Sequence, residues 1–258
     1  MSRRLFPLGL VAAAGVTVAF LALPLLAIFL RVSPGRLLAQ LGNRVVVDAL
    51  VVSLKTTLIA QALILVFGTP TAYLLATRRF RGRTLVVTLV ELPLVLPPAV
   101  AGIGLFAAFG RTGLLGSTLS VFGVQIPFTQ AAVVLAVAFV ASPLYVRQAI
   151  SAFESVDASL VDASRTLGAG EARTFRRIAL PLAAGGLAAG AALAFARGLG
   201  EFGATIMFAG SLQGVTQTLP LAIYAEFDQR FDVALAIGGL LVVISAGILV
   251  LLKIGLPW

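Results

Sequence analysis

Thr56-Thr57-Leu58-Ile59-Ala60-Gln61-Ala62-Leu63-Ile64-Leu65-Val66-Phe67-Gly68-Thr69-Pro70-Thr71-Ala72-Tyr73-Leu74-Leu75-Ala76-Thr77 runs without a charge between Lys55 and Arg78. An α-helix rises about 1.5 Å per residue, so roughly 20 apolar residues cross the hydrocarbon layer of a bilayer. The stretch is one crossing. Five further runs meet the same test: Leu5 to Leu30, Leu92 to Gly110, the second half of Thr112 to Val146, a run beginning with Ile178 to Ala196, and Val233 to Leu252. Of the 258 residues 60% are hydrophobic and 11% are charged. The usual charged share of soluble domains is about 25%, so this chain cannot clothe itself in polar surface and needs lipid as solvent. The sequence therefore predicts an all-α, polytopic membrane protein of about six transmembrane helices, multi-pass in a cell membrane.

The net charge of +9 would suit nucleic acid if the cations formed one face. They are instead sorted between the ends of the crossings. With the N-terminus in the cytoplasm, the cytoplasmic flanks receive Arg3, Arg4, Arg78, Arg79, Arg81, Arg83, Arg147, Arg165, Arg173, Arg176, Arg177 and Lys253, which is 12 cations. Arg31, Arg36, Arg44, Lys55, Arg111 and Arg230, which is 6, fall outside, and Arg197 lies within a helix. This bias predicts cytoplasmic N- and C-termini. The basic balance reports topology, and no nucleic-acid partner is expected. Met1-Ser2-Arg3-Arg4 precedes an apolar run longer than a secretory core and lacks a clear cleavage site, so it is read as a retained first helix.

Chemistry is narrowed by what is missing. The chain holds no Cys and no His, which removes disulfides, thiol nucleophiles, His-ligated metals and His-based triads. A phosphate-cradling loop needs a lysine after a glycine, and the two lysines, Lys55 and Lys253, each follow leucine. The chain is not expected to be an enzyme or to hold a cofactor or metal of its own.

Residues 1–45 form the first helix, which holds Pro24 and ends near Ser33-Pro34-Gly35, and an external connection whose polar stretch runs over Arg36 to Asp48; residues 46–254 form the remaining unit. Leu92-Pro93-Leu94-Val95-Leu96-Pro97-Pro98 cannot continue a regular helix, and irregular backbone at membrane depth survives where protein or water satisfies it. Pro97 and Pro98 thus become candidates for the translocation path, with a kinked packing helix as the alternative. Gly110 to Gln130 reads as an external loop or partly re-entrant segment, and the fourth helix as about Ala131 to Ala149. No internal repeat is evident.

The long polar insert, Arg147 to Arg177, predicts a short helix, a glycine-punctuated turn at Gly168 and Gly170, and a second helix entering the membrane at Ile178-Ala179-Leu180-Pro181. Asp162-Ala163-Ser164, three residues, Gly168, nine residues, then Ile178, one residue, and Leu180-Pro181 resembles the pattern E-A-A-x3-G-x9-I-x-L-P of ABC importer permeases. Every spacing agrees; Asp replaces Glu and Ser replaces the second Ala. What the resemblance implies is a type I ABC importer transmembrane domain whose loop, within 150–180, is the coupling helix that docks on an ATPase. It further implies a homodimer, two cytoplasmic ABC ATPase subunits that bind the ATP, and an external solute-binding protein. A solvated loop matching by chance is the bland reading.

Farther on, Arg197 and Glu201 stand i and i+4 within apolar sequence, where charges are costly and mark function by default. A mutual ion pair with glycines for close packing is the structural alternative. Gly200 and Gly203 would admit a close neighbour or a solute, and Thr205, Ser211 and Gln213 could donate to an anion that a bare carboxylate would repel. The strings GLGEFGATIMFAG (Gly198 to Gly210), TQTLPLAIY (Thr216 to Tyr224), LPLVLPPAVAGIGL (Leu92 to Leu105) and FGRTGLLG (Phe109 to Gly116) are similar to molybdate, tungstate and sulfate permeases. That resemblance implies import of a tetrahedral oxyanion, molybdate foremost, with Pro97, Pro98, Arg197, Gly200, Glu201, Gly203 and Thr205 on the path. Competing classes are an ion-coupled secondary transporter or channel using Arg197 and Glu201, and a non-transporting membrane scaffold.

Overall fold

A computed structural model describes residues 2–31 and 34–255, and among them every regular element is helical. In chain order these are α1 (Ser2–Arg31), α2 (Pro34–Gln40), α3 (Arg44–Thr77), α4 (Arg83–Val95), α5 (Pro98–Phe109), α6 (Gly116–Val121) and α7 (Gln130–Glu154). They continue with α8 (Ala158–Thr166), α9 (Glu171–Thr174), a π-turn (Phe175–Ala179), α10 (Leu180–Leu199), α11 (Gly203–Ala209), α12 (Leu219–Glu226) and α13 (Phe231–Gly255). Among the described residues, five helical stretches are long and apolar enough to cross a membrane, and α4 with α5 supplies a sixth if that bent pair is one span.

The sequence misplaces several boundaries for identifiable reasons. The crossing expected over Leu92 to Gly110 is two helices bent by 116°, with α4 already running from Arg83. Leu96 and Pro97 each precede a proline and are held extended, at ψ 135 and 131, while Pro98 restarts the chain as the first residue of α5. The polar connection expected over Arg36 to Asp48 is shorter than read, because Asn43 caps α3 by accepting from the Val45 N–H at 3.0 Å. Helix α7 extends from Gln130 to Glu154 rather than ending near Ala149, and its start is capped by Thr129. The predicted end of the first helix near Ser33 lies outside the described residues.

Helix α7 is the post around which the others stand: α3, α4, α5, α10 and α11 all pack on it. In lipid the apolar effect does not drive helices together, so association rests on close van der Waals contact and hydrogen bonds. Small residues supply the closeness. A Cβ on Gly68 of α3 would lie 2.9 Å from the Tyr145 ring, one on Gly190 of α10 2.9 Å from Gln148, and one on Gly198 2.8 Å from Val137. Tyr145 also shares a 2.6 Å hydrogen bond with Thr69 of α3. Helix α1 stands apart along its exposed length, with Ile28 and Phe29 meeting α13 over Gly239.

Gly198→Val forces α10 away from Val137 and Thr57, an overpacking cost of roughly 1–3 kcal/mol. We expect the thermal midpoint of the detergent-solubilised protein to fall by several degrees, at about 2–4 °C per kcal/mol. Gly200→Ala, whose added methyl meets nothing closer than 3.8 Å, should melt with the parent.

Candidate functional site: a loop helix and a buried ion pair

Two loci emerge at opposite ends of α10. Its twenty residues separate them by about 30 Å.

The first is built by α8 and the root of α9. Asp157 starts α8, its Oδ1 accepting from the Ser159 N–H at 2.8 Å. The backbone and side-chain hydrogen bonds from Ser159 hold this exposed carboxyl below the usual range. Asp162, Ala163 and Ser164 form the middle turns of α8. The helix stops because Gly168 adopts φ +81, a left-handed conformation that side chains strain to reach. Two closing bonds result, Gly168 N–H to Arg165 carbonyl at 2.9 Å and Ala169 N–H to Ser164 carbonyl at 3.1 Å, the pattern of a Schellman cap. The predicted helix, turn and helix are present in that order.

The loop is tied to the body at its root and free at its tip. Ser164 Oγ and Thr174 Oγ1 share a 3.0 Å hydrogen bond, with Thr174 buried. Tyr73 of α3, Phe153 of α7 and Phe175 cluster with ring centroids 4.7 to 6.1 Å apart. Arg78 pairs with Glu171, and Arg83 Nη2 donates to Glu154 Oε1 at 2.9 Å. Behind α8 a cavity of about 560 Å³ opens between Asp162 and Arg165 on the helix and Arg79 and Arg83 on the body. On α8 and its C-cap, Leu160, Ala163 and Leu167 are exposed at helical spacing, Leu167 to 87%. An apolar stripe on a charged end of the molecule is a docking face in chemical character.

Ile178, Leu180 and Pro181 carry this root into α10. Pro181 lacks an N–H and its ring crowds the carbonyl four residues back, so the preceding turn widens: the Leu180 N–H reaches Phe175 carbonyl in a π-turn. Ala179 is buried there, Ile178 and Leu180 are half-buried, and Pro181 is exposed. Sequence reasoning missed the π-turn, although the helix-interior proline signals it.

The second locus is the far end of α10. Arg197 and Glu201 do pair, Nη1 to Oε2 at 2.7 Å, but α10 has ended by Leu199 and Glu201 lies in the following bend. The i, i+4 spacing that would pair them on a continuous helix thus pairs them across a helix end. Two small residues end it: Gly200 closes the last turn through its N–H to the Ala196 carbonyl, and the Glu201 N–H bonds to Gly198 carbonyl. The Glu201 side chain is 1% exposed, and its Oε1 accepts from the Ala204 N–H at 2.8 Å, anchoring the start of α11. Arg197 remains about one-third exposed, at 35%.

Around the carboxylate the two broken segments meet. A Cβ on Gly203 would lie 2.7 Å from Pro98 Cβ, and one on Gly102 of α5 2.7 Å from the Ala204 carbonyl. Pro98, Gly203, Arg197, Glu201 and the α11 residue Thr205 thus share one junction, with Pro97 as the residue preceding α5. Thr205 is fully buried and its Oγ1 has no hydrogen-bond partner among the described residues. Gly200 is exposed and packs on nothing closely. Gln213 is drawn elsewhere, its Nε2 donating to Asp48 Oδ2 at 3.0 Å, and Ser211 Oγ accepts from Gln217 Nε2 at 3.3 Å. The sequence reading did not find Gly102, the Ser164–Thr174 bond, or the 2.7 Å hydrogen bond from Leu219 N–H to Ser53 Oγ that joins α12 to α3.

A broken-helix membrane domain with a stand-off loop helix defines a transport permease by class. The chain belongs to the family of binding-protein-dependent transport system inner membrane components, whose model matches residues 65–254. It is 45% identical over 238 residues to the molybdenum transport system permease protein ModB of Mycobacterium tuberculosis, covering 92% of this chain and 89% of that one. ModB of Escherichia coli is 45% identical over 178 residues, 69% of this chain and 78% of that one. The sulfate transport system permease protein CysT of Salmonella typhimurium is 35% identical, covering 98% and 93%. Among solved structures, a bacterial alginate ABC transporter in complex with its periplasmic protein superposes at TM-score 0.69, with 18% identity, over 96% of this chain and 92% of that chain. The MetNI methionine ABC transporter, inward facing, superposes at 0.63 with 21% identity, over 80% and 92%. The fold is that of ABC importer transmembrane domains, and the protein is a multi-pass membrane protein.

Removing Arg197 alone, as Arg197→Leu, leaves a buried carboxylate with one N–H for company and should cost roughly 3–5 kcal/mol. The double variant Arg197→Leu/Glu201→Gln should regain at least half of the lost thermal midpoint; equal losses in single and double variants would show that the pair is not coupled. For α8, Asp157 has a depressed carboxyl pKa, so its capping contribution is complete above the ordinary carboxylate value and disappears as pH falls through the lowered one. Amide protection over residues 158–166, taken relative to the intrinsic exchange rate at each pH, should therefore fall on acidification, and Asp157→Ala should abolish that loss of protection.

Proposed function

We propose that this chain is the membrane-spanning permease subunit of an ATP-driven importer for a tetrahedral oxyanion, with molybdate as the cargo. The observation that carries the reading is 45% identity across 92% of the chain to a protein named as a molybdenum permease. The sulfate permease at 35% identity supports the wider class of cargo, tungstate included. Both termini and the α8 loop lie in the cytoplasm in this reading, as the 12-to-6 bias of cations favours. Two copies of the chain form the path between them. A cytoplasmic ATPase chain under each copy binds and hydrolyses ATP, and an external binding protein delivers the anion.

The geometry offers a route of transmission. Asp162, Ala163 and Ser164 lie on the docking helix, Gly168 makes the sharp turn, and Ile178, Leu180 and Pro181 join the root to α10. ATPase closure displaces α8; the Ser164–Thr174 bond and the aromatic cluster pass the movement to α10. At its other end the displacement reaches Arg197, Gly200 and Glu201, and through Gly203 and Thr205 the Pro97–Pro98 break. Arg197 compensates the Glu201 charge locally, so an anion nearby is not opposed by a bare carboxylate. The same pairing disfavours a relay in which Glu201 carries ions for a secondary transporter.

The test is uptake into proteoliposomes holding the chain, its ATPase and the binding protein, with molybdate, tungstate and sulfate in competition. Gly168→Val strains the left-handed turn without meeting any neighbour. We expect ATP hydrolysis to persist while uptake falls by about tenfold or more, a loss of at least ~1.4 kcal/mol in coupling. Concentrative uptake by the chain alone, driven by an ion gradient, would sink the importer reading.

A further inference from the structure

Arg173, Arg176 and Arg177 lie on one face where α9 passes into the π-turn, at spacings i, i+3 and i+4. All three are exposed and, with Ala172, line a cavity of about 420 Å³. None of them forms an ion pair among the described residues. The acids of this end of the molecule are already taken: Glu171 by Arg78, Glu154 by Arg83, Glu91 by Arg147 and Asp162 by Arg165. Asp157 is engaged in capping α8.

This arrangement is unfavourable as it stands. Like charges three and four residues apart repel, and cations in the first turns of a helix oppose its dipole. Both penalties vanish when an anion sits among the guanidinium groups. Their planar forks suit a tetrahedral group with several oxygens, such as phosphate or sulfate. The neighbouring sequence indicates how deep the cluster lies: one turn beyond Arg177 the exposed side chains are Pro181 and Leu182, the latter to 55%. Guanidinium then hydrocarbon within one helical turn, about 5 Å, is the profile of a headgroup lying above an acyl chain.

We propose that Arg173, Arg176 and Arg177 form a binding site for a tetrahedral oxyanion group at the membrane-facing root of the α8 loop. The group is the phosphate of an anionic phospholipid or a free oxyanion held in the same fork. Thr174, between the arginines, carries the bond to Ser164, so an occupant bears directly on the attachment of α8. The site does not depend on the transport reading and is tested without ATPase or binding protein.

Purified chain in phosphatidylcholine nanodiscs doped with phosphatidylglycerol is examined by native mass spectrometry for retained lipid. Parallel discs of phosphatidylcholine alone are titrated with radiolabelled sulfate. Selective retention of phosphatidylglycerol should weaken by roughly fivefold for each arginine replaced, in R176Q and in R173Q/R176Q/R177Q, with helical content unchanged. If sulfate binding is lost in the variants while lipid retention is not, the occupant is the free anion. Should the triple variant fail to reconstitute, R176Q decides alone. Wild-type and variant protein that retain phosphatidylglycerol equally and bind sulfate equally would overturn the proposal.

Discussion

Hydrocarbon offers a helix no reward for hiding its apolar side chains, so what holds this fold is how closely backbones can approach α7. Gly68, Gly190 and Gly198 each bring a neighbouring helix to within van der Waals reach of Tyr145, Gln148 or Val137. Where approach is that close, dispersion contacts are dense and displacement is resisted. The helices around α7 can then act as a rigid frame, and motion is confined to segments that are not packed in this way. The standing-off α8, tied to the body at its root, is such a segment.

In the proposed transmission the two loci act together because of what interrupts α10 at each end. At its start Pro181 forces the π-turn, yet the helix axis continues, so a displacement at Thr174 passes into α10. At its finish the chain breaks cleanly, and Glu201 fastens the break from both sides, to Arg197 behind and to the Ala204 N–H ahead. A carboxylate buried without both partners would be intolerable in that setting. Here it is a joint between α10 and α11, and α11 in turn lies against α5 through Gly102 and Gly203. In the proposed transport cycle, movement of α10 would therefore be felt at the Pro97–Pro98 break.

Much of this was legible beforehand, and the unread part has physical causes. Apolar runs bounded by charges revealed the long helices, because lipid imposes that pattern locally. The loop was legible because a turn at Gly168 and a helix restart at Glu171 are local chemistry. Tertiary context decided the rest. Nothing in Arg83 to Val95 says that this segment folds back at 116° from α5; only the paired prolines hint at it. The Arg197–Glu201 spacing suggested a helical pair, and the pair exists, but Gly198 and Gly200 let the helix end inside it. Gln213 looked available as a donor until the fold placed it on Asp48, 165 residues earlier in the chain.

Charge follows a related logic. With +9 net, the chain has many more cations than acids, and outside the described ion pairs most arginines remain in exposed positions. Several of the few acids are spent on specific joints: Glu171 and Glu154 fix the loop root, Glu226 grips Arg230 at 2.5 Å before α13, and Glu201 closes α10. The proposed path for an anion would gain from this economy. A free carboxylate within it would raise the barrier to every passage, whereas one already held by a guanidinium and an amide leaves mainly the dipoles of nearby N–H and hydroxyl groups, Thr205 among them.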